Sequence, residues 1–391
     1  MNILVIGNGI YVTGRGTNGF GTVLPALCEW KRRGMYLGKV FIVGTNPYGV
    51  EEAKRKLKEL STLMGVDLDV RFFPEGSKID VECYKDALGK IPVPACAIIA
   101  VPDHLHREVT GHCLERGAHT LVVKPLTPTI CQSRELIALL GKQQLYGATE
   151  FHKRFDRANL KLKEVITKGM IGEPLYFIVE YSQRKSIPSK TFSAWVSRSN
   201  VFQYLGVHYV DIIYFVTGGL PRKVQVTAQY GWLREQGIDT FDAVHATIEW
   251  ELPNKKKFIS FIHTNWIDPE NTSAMSDQQI KVIGTKGRFE SDQKRRGITI
   301  VSDQEGIEEP NPDFCSSYPT PEGYTSYQGY GIESIHTFLK DVSLLEKREV
   351  TLEELEGMRP SFKESLVSTA VVEAVNNGLN QQNRWIGIDL S

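Results

Sequence analysis

Two residues of this chain are of types that can do chemistry, a lysine at the exit of an apolar run and a histidine inside an apolar stretch. Lys124 leaves the apolar run 119–123 and is followed at once by Pro125. A lysine at that point must keep its ammonium hydrated or paired, because burying it bare is costly. The plain alternative is a surface lysine laid along apolar neighbours. His208 stands in the apolar stretch 205–217, and a histidine can gain and lose a proton near neutrality. Oxidising a secondary alcohol needs a hydride acceptor, a base for the hydroxyl proton and positive charge beside the forming alkoxide. A histidine is of a type that can be such a base, and a lysine ammonium such a charge. Tyr204 precedes His208 by four residues, so a helix reaching one turn back sets both on one face. Its hydroxyl could hydrogen-bond the histidine or the substrate, but with an ordinary pKa of about 10 it would not be a charged partner. The structural alternative for His208 is a buried helix histidine bonded to Asp211.

The hydride acceptor points to the start of the chain. The first apolar run, 2–6, enters Gly7, Asn8 and Gly9, and further glycines follow at 14, 16, 19 and 21 before a helix expected from Thr22. Glycines after a first strand let backbone amides approach a pyrophosphate at the positive end of a helix. A regular G-x-G-x-x-G would place its third glycine at position 12, which is Val12; if Gly21 serves instead, the motif is expanded. Gly7, Gly9, Ile10, Gly19 and Gly21 are the cofactor-binding candidates here, and Arg15 could reach a phosphate or stay solvated. A glycine-rich surface loop with no ligand is the other reading. After the second strand, Thr45 and Asn46 stand where an acid would hold the ribose hydroxyls. Without a carboxylate a 2′-phosphate is not repelled, and no adjacent arginine demands one, so the cofactor is NAD or NADP.

The elements that position these groups can be read from spacing. Short apolar runs at 2–6, 39–43, 69–73, 95–100, 119–123 and 145–149 alternate with amphipathic stretches. The segment 50–64 repeats apolar residues at helical spacing, and the segment after Pro102 starts with Asp103 as N-cap and stops at Gly117. Strands alternating with helices imply a parallel sheet covered on both faces, a Rossmann-like domain over 1–150. Beyond it the period changes to two, clearest at 244–252, with strands expected at 175–181, 224–229, 258–263, 279–283 and 297–301. Helices are expected at 159–168, 205–217, 332–345 and 360–377. The fold class is therefore α/β, with a doubly wound parallel sheet followed by an α+β domain (151–391) carrying a large open, mostly antiparallel sheet. Residues 310–330 lack periodicity and read as a long loop.

Bulk composition narrows the partners. The chain has 391 residues, 41% hydrophobic and 24% charged, with 46 basic against 46 acidic side chains. Nothing in that balance draws it to nucleic acid or to an anionic membrane, and no apolar run reaches spanning length. Six scattered cysteines suit reduced thiols and a cytoplasmic setting. His104, His106, His112 and His119 lack the spacing and companions of a metal site, so no metal is expected. A basic set of Lys153, Arg184, Lys185, Lys190 and Arg198 could receive a phosphate or carboxylate on the substrate or simply be solvated.

Taken together, these segments resemble the glucose–fructose oxidoreductase/inositol dehydrogenase (Gfo/Idh/MocA) family. Gly206, His208 and Asp211 match its Gly-x-His-x-x-Asp helix. Val101, Pro102, Asp103 and His106 match its Thr-Pro-Asn-x-x-His, and Val123, Lys124 and Pro125 its Glu-Lys-Pro. Arg154 to Asp156, Gly169 to Gly172, Ile283 to Gly287 and the region 360–386 continue the match in order. The resemblance implies an NAD(P)-dependent dehydrogenase of a sugar, inositol or nucleotide-sugar, forming a homo-dimer or homo-tetramer through the C-terminal sheet. It implies Lys124, His208 and Tyr204 as catalytic. Val101, Pro102, His106 and Lys124 join the cofactor set, and His152, Lys153, Tyr204, His208 and Asp211 join Lys124 toward substrate. The chain departs from the pattern in having Tyr204 where an aspartate is usual, Val123 where a glutamate is, and His152 in place of a neutral polar residue. The missing aspartate and glutamate favour a second reading, a non-catalytic NAD(P)-sensing regulator on the same scaffold, which the presence of both Lys124 and His208 opposes; the resemblance also admits a third, an NAD-assisted glycoside hydrolase.

Overall fold

Short runs of fully buried aliphatic residues fix the first sheet. Its strands are β1 (Asn2–Ile6), β2 (Val40–Val43), β3 (Val70–Phe73), β4 (Ala95–Ile99), β5 (His119–Val123) and β6 (Gly147–Glu150). All pair in parallel, in the order β3-β2-β1-β4-β5-β6. That is the doubly wound order, whose switch point falls between β1 and β4. The connecting helices are α1 (Ile10–Thr13), α2 (Val23–Arg32), α3 (Pro47–Met64), α4 (Cys83–Lys90), α5 (His106–Glu115) and α6 (Ile130–Gln143). The computed structural model describes residues 1–304, 306–381 and 383–390.

The chain forms two compact units, and the first is discontinuous. It comprises Met1–Thr127, Cys131–His152 and Asp313–Glu364. The boundary expected at 150/151 thus leaves out a returning segment. In that segment a helix (Tyr330–Glu346) lays Ile335, Phe338, Leu339 and Val342 against Leu24, Leu27 and Trp30 of α2 on one face of the sheet. The opposite face is covered by Ala87 and Leu88 of α4 and by Val109 and Cys113 of α5. Burial on both faces is why these strands read as unbroken apolar runs. The stretch 310–330 is not the loop its composition suggests. Ser316–Pro319 pairs with Thr325–Gln328 in a two-stranded ladder that carries the chain back to this core. Two local readings also need correction. Asp103 is not at the N-cap position of α5; it opens a 3₁₀ turn, Asp103–Leu105, and α5 starts only at His106, with Leu105 at its N-cap. A four-residue helix, α1, precedes the one expected near Thr22.

The second unit comprises Pro128–Ile130, Lys153–Pro312 and Ser365–Ser391. It holds α7 (Arg157–Thr167), β7 (Pro174–Arg184), α8 (Val207–Thr217), β8 (Leu220–Gln229), β9 (Ala243–Glu251), β10 (Lys257–Asp268), β11 (Ser276–Gly284) and β12 (Arg288–Asp292). The sheet runs β12-β11-β7-β10-β9-β8 and ends on Trp385–Gly387. Only β7 and β10 pair in parallel, and the other neighbours are antiparallel. Val244, Ala246, Ile248 and Trp250 of β9 are buried while the residues between them are half-exposed, so one face packs inward and the other does not. The strand expected at 297–301 lies apart, as Ile300–Ser302 paired with Gly306–Glu308. Among the described residues no helix is long and apolar enough to cross a membrane, and no three potential metal ligands gather. All six cysteines are unbridged thiols, four of them buried.

Candidate active site

The carboxyl edge of the first sheet is shaped by glycines and backbone. Gly7 has φ +116°, and a Cβ there would stand 2.2 Å from the carbonyl oxygen of Ala100, the residue after β4. Only glycine fits that crossing of β1 and β4. Around Gly9, by contrast, a Cβ would meet nothing within 4 Å. Asn8, between them, is buried at 5% exposure with its Nδ2 unbonded to protein, and its Oδ1 accepts from Arg15 Nη1 at 3.0 Å. Space at a glycine and an unpartnered buried amide are what a bound dinucleotide would use.

The chain then leaves this edge and returns to it. After α1, residues 14–21 make an excursion closed at a neck of glycines. A Cβ on Gly14 would strike Gly19 O, and one on Gly21 would lie 2.8 Å from Ile10 O and from Thr13 N. Thr22 N donates to Tyr11 O at 2.7 Å, so α2 resumes beside α1. Lys56 of α3, itself buried, donates to Thr17 O and Gly19 O and fastens the loop. Gly19 and Gly21 therefore sit at the neck of the loop, while Val12 fills core space. Ile10 opens α1 and is half-buried.

Lys124 follows β5 directly, half-exposed, with a cis bond to Pro125. His106 fixes this turn. Its Nδ1 lies 2.7 Å from Pro125 O and its Nε2 2.9 Å from Val101 O, so one buried ring joins the exits of β4 and β5. Burial lowers the ring's pKa, against Asp103 and the two carbonyls, which favour the charged form. Val101 and Pro102 thus form the rim beside the lysine turn. The last paired residue of β5, Val123, stands opposite Glu150 of β6. Glu150 is 2% exposed and takes His152 Nδ1 on Oε2 at 2.7 Å. The His152 ring is stacked with Tyr11 and Tyr330 and tilted against Phe314. Burial first, then the Glu150 carboxylate, push the Tyr11 hydroxyl well above its usual pKa. Glu150 and Tyr11 escaped the sequence reading. The carboxylate two residues before His152 was the available signal.

In the second unit the candidates lie inside. His208, 3% exposed, begins α8 one residue after a wide π-type turn, Phe202–Gly206. Its ring lies 6.3 Å from that of Tyr181, which faces Tyr209 and the Lys153 ammonium. Tyr204 falls within the π-type turn, one turn before His208 at the start of α8. Its ring packs among Phe192, Trp195 and Trp266. Asp211 receives Arg154 on both oxygens, Nη2–Oδ1 at 2.7 Å and Nε–Oδ2 at 2.9 Å, with both side chains buried. Lys153 is buried too and donates to the carboxamides of Gln278 and Gln293. Desolvation, aided by Arg296 and opposed by Asp156, brings its pKa down to about 7. Gln293 passes on to Asp156, which Arg296 clamps at 2.8 Å. Arg184 and Lys185 of the basic run bond Thr272 and cover the Trp232 ring.

Comparison with known proteins agrees with this division. Residues 39–150 match the family model described as an oxidoreductase family, NAD-binding Rossmann fold, and residues 159–290 match the GFO/IDH/MocA C-terminal domain. The first match begins after the glycine loop. The myo-inositol 2-dehydrogenase of Thermotoga maritima is 24% identical over 338 residues, 79% of this chain and 92% of that protein. The scyllo-inositol 2-dehydrogenase (NADP(+)) of Bacillus subtilis is 22% identical over 160 residues, 41% of this chain and 44% of the relative. In fold, the scyllo-inositol dehydrogenase of Lactobacillus casei, solved with NAD(H) and scyllo-inositol, superposes with a TM-score of 0.67 at 17% identity, covering 99% of each chain.

Proposed function

The chain belongs to the Gfo/Idh/MocA family of NAD-binding oxidoreductases, and on that premise we propose that it moves a hydride between the nicotinamide and a secondary hydroxyl or ketone of an inositol-like polyol. The observation that carries this reading is the station of Lys124 at the carboxyl end of β5, held by the His106 ring through Pro125 O. Ligands of doubly wound sheets bind past strand ends of this kind. The names of the inositol dehydrogenases that resemble this chain favour a polyol over a nucleotide-sugar.

The nicotinamide supplies hydride acceptance and return. Every other task falls to side chains. Lys124 places positive charge where oxygen becomes alkoxide. The His208 imidazole takes the hydroxyl proton in oxidation and gives it back in reduction. With Tyr204 where an aspartate is usual, no carboxylate at that position raises the basicity of His208. Tyr204, His152, Lys153 and Asp211 orient the substrate or the groups that touch it. The protein works in the cytoplasm and associates with itself through the half-exposed face of the second sheet.

The test is turnover of myo- and scyllo-inositol by Lys124→Ala and His208→Ala. Each should lower kcat by about 10²–10⁴ while NAD(P)H still binds. Full activity in both variants would remove these residues from the chemistry.

A further inference from the structure

The excursion 14–21 brings an arginine to a place where the sequence offered none. In a sheet of this order the adenosine ribose of a bound dinucleotide lies past the end of β2, where an acid would hold its hydroxyls. That end reads Gly44, Thr45, Asn46, followed by the eighteen-residue α3. Arg15 reaches it from the loop. Its Nη1 bonds Asn8 Oδ1 and lies 2.7 Å from where a Cβ on Gly49, in the first turn of α3, would stand. The unbonded Nδ2 of buried Asn8 points to the same spot, 2.2 Å from a Cβ built on Gly44 and 3.1 Å from one on Gly49. The carboxylates nearby are turned to other tasks. Glu52 accepts from Gly16 N and Asp80 from Glu82 N.

An exposed guanidinium with one protein partner among the described residues, a buried amide donor without one, and a helix N-terminus converge on a corner whose first helical turn has no acid and whose neighbours Glu52 and Asp80 are bonded to backbone amides. Dianionic phosphate fits such a corner, because a guanidinium offers paired donors in a fixed fork and the helix end favours negative charge. A bare ribose hydroxyl would leave the guanidinium unused. We propose that this corner is a subsite for the 2′-phosphate of NADP(H), and that Arg15, delivered by the inserted loop, makes the chain select NADP(H) over NAD(H). The proposal rests on the dinucleotide reading above and adds which dinucleotide. The Lys56 anchor gives the loop a fixed path, so the arginine is held in place before the ligand arrives.

The experiment is a set of binding titrations of the purified protein, read by tryptophan fluorescence and calorimetry, with no turnover required. The ligands are NADPH, NADH, adenosine 2′,5′-bisphosphate and AMP. Wild type should bind NADPH at least about tenfold more tightly than NADH, and the bisphosphate more tightly than AMP by a similar factor. Arg15→Ala should weaken both 2′-phosphorylated ligands by about 10–100-fold and shift NADH by less than about twofold. Thr45→Asp, which restores a carboxylate at the same corner, should lower NADPH affinity and spare NADH. Equal binding of NADH and NADPH by wild type would overturn the proposal while leaving the dinucleotide reading standing. So would an Arg15→Ala variant that loses both alike. Binding of neither dinucleotide would overturn both.

Discussion

The two units hold their polar groups by opposite means. On the first, the chemistry-bearing edge is made by main chain: Gly7 under Ala100 O, His106 between two carbonyls, and a loop fastened by Lys56 to carbonyl oxygens. In the second, side chains hold side chains: Arg154 with Asp211, Lys153 with Gln278 and Gln293, Asp156 with Arg296. A backbone-made edge tolerates insertion, since residues 14–21 leave and return through one glycine neck without disturbing β1. A buried network of charges does not, because each member left alone is a stranded charge.

The strongest way to break this contrast is to remove one half of a pair in each unit. Arg154→Met takes the guanidinium away from the buried Asp211, and unfolding in urea should show a loss of about 3–5 kcal/mol. In the first unit Arg107→Ala removes the exposed partner of Glu135, and the loss should stay below about 1 kcal/mol. Equal losses would abolish the distinction. Next in size is Gly7→Ala, whose methyl would collide with Ala100 O at an unfavourable φ. A loss of about 1–3 kcal/mol, together with weakened dinucleotide binding, is expected by urea titration and fluorescence. The smallest effect sharpens the picture of the second unit. With its pKa lowered to about 7 in the folded state, Lys153 binds fewer protons folded than unfolded above that pH, so its contribution to stability grows as pH rises. Between pH 7 and 8 the gain is about 1 kcal/mol, and Lys153→Met should flatten it. A slope that survives the substitution would assign the effect elsewhere.

The same contrast explains what could be read from residue order. Runs such as 2–6 and 119–123 announced buried parallel strands, and Lys124 with Pro125 announced an edge, because both signals are local. Arg15 was visible as a residue but not as a neighbour of Gly49, since only the path of the loop places it there. Glu150 lies just past the apolar run 145–149 and drew no reading, although its pairing opposite Val123 and its bond to His152 make it part of the edge. Lys153 and the basic run looked solvated, and charge alone carries no hint that Lys153 is buried on two carboxamides. The wide turn Phe202–Gly206, in which Tyr204 sits, is likewise not announced by regular helical spacing. Contacts between side chains far apart in sequence are what a single chain conceals.

The discontinuity of the first unit bears on how the protein is made. Ile335, Phe338, Leu339 and Val342 belong to its core, yet the ribosome delivers them after the stretch 153–312 that forms most of the other unit. At about 5–20 residues per second, the sheet and helices built by the first 150 residues wait on the order of ten seconds or more with the flank of α2 that meets the returning helix uncovered. A fragment ending at residue 150 would keep that flank bare for good. An expressed first unit should therefore join residues 1–152 to 313–364 by a short linker, and chaperone dependence during synthesis should fall once the helix at 330–346 has emerged.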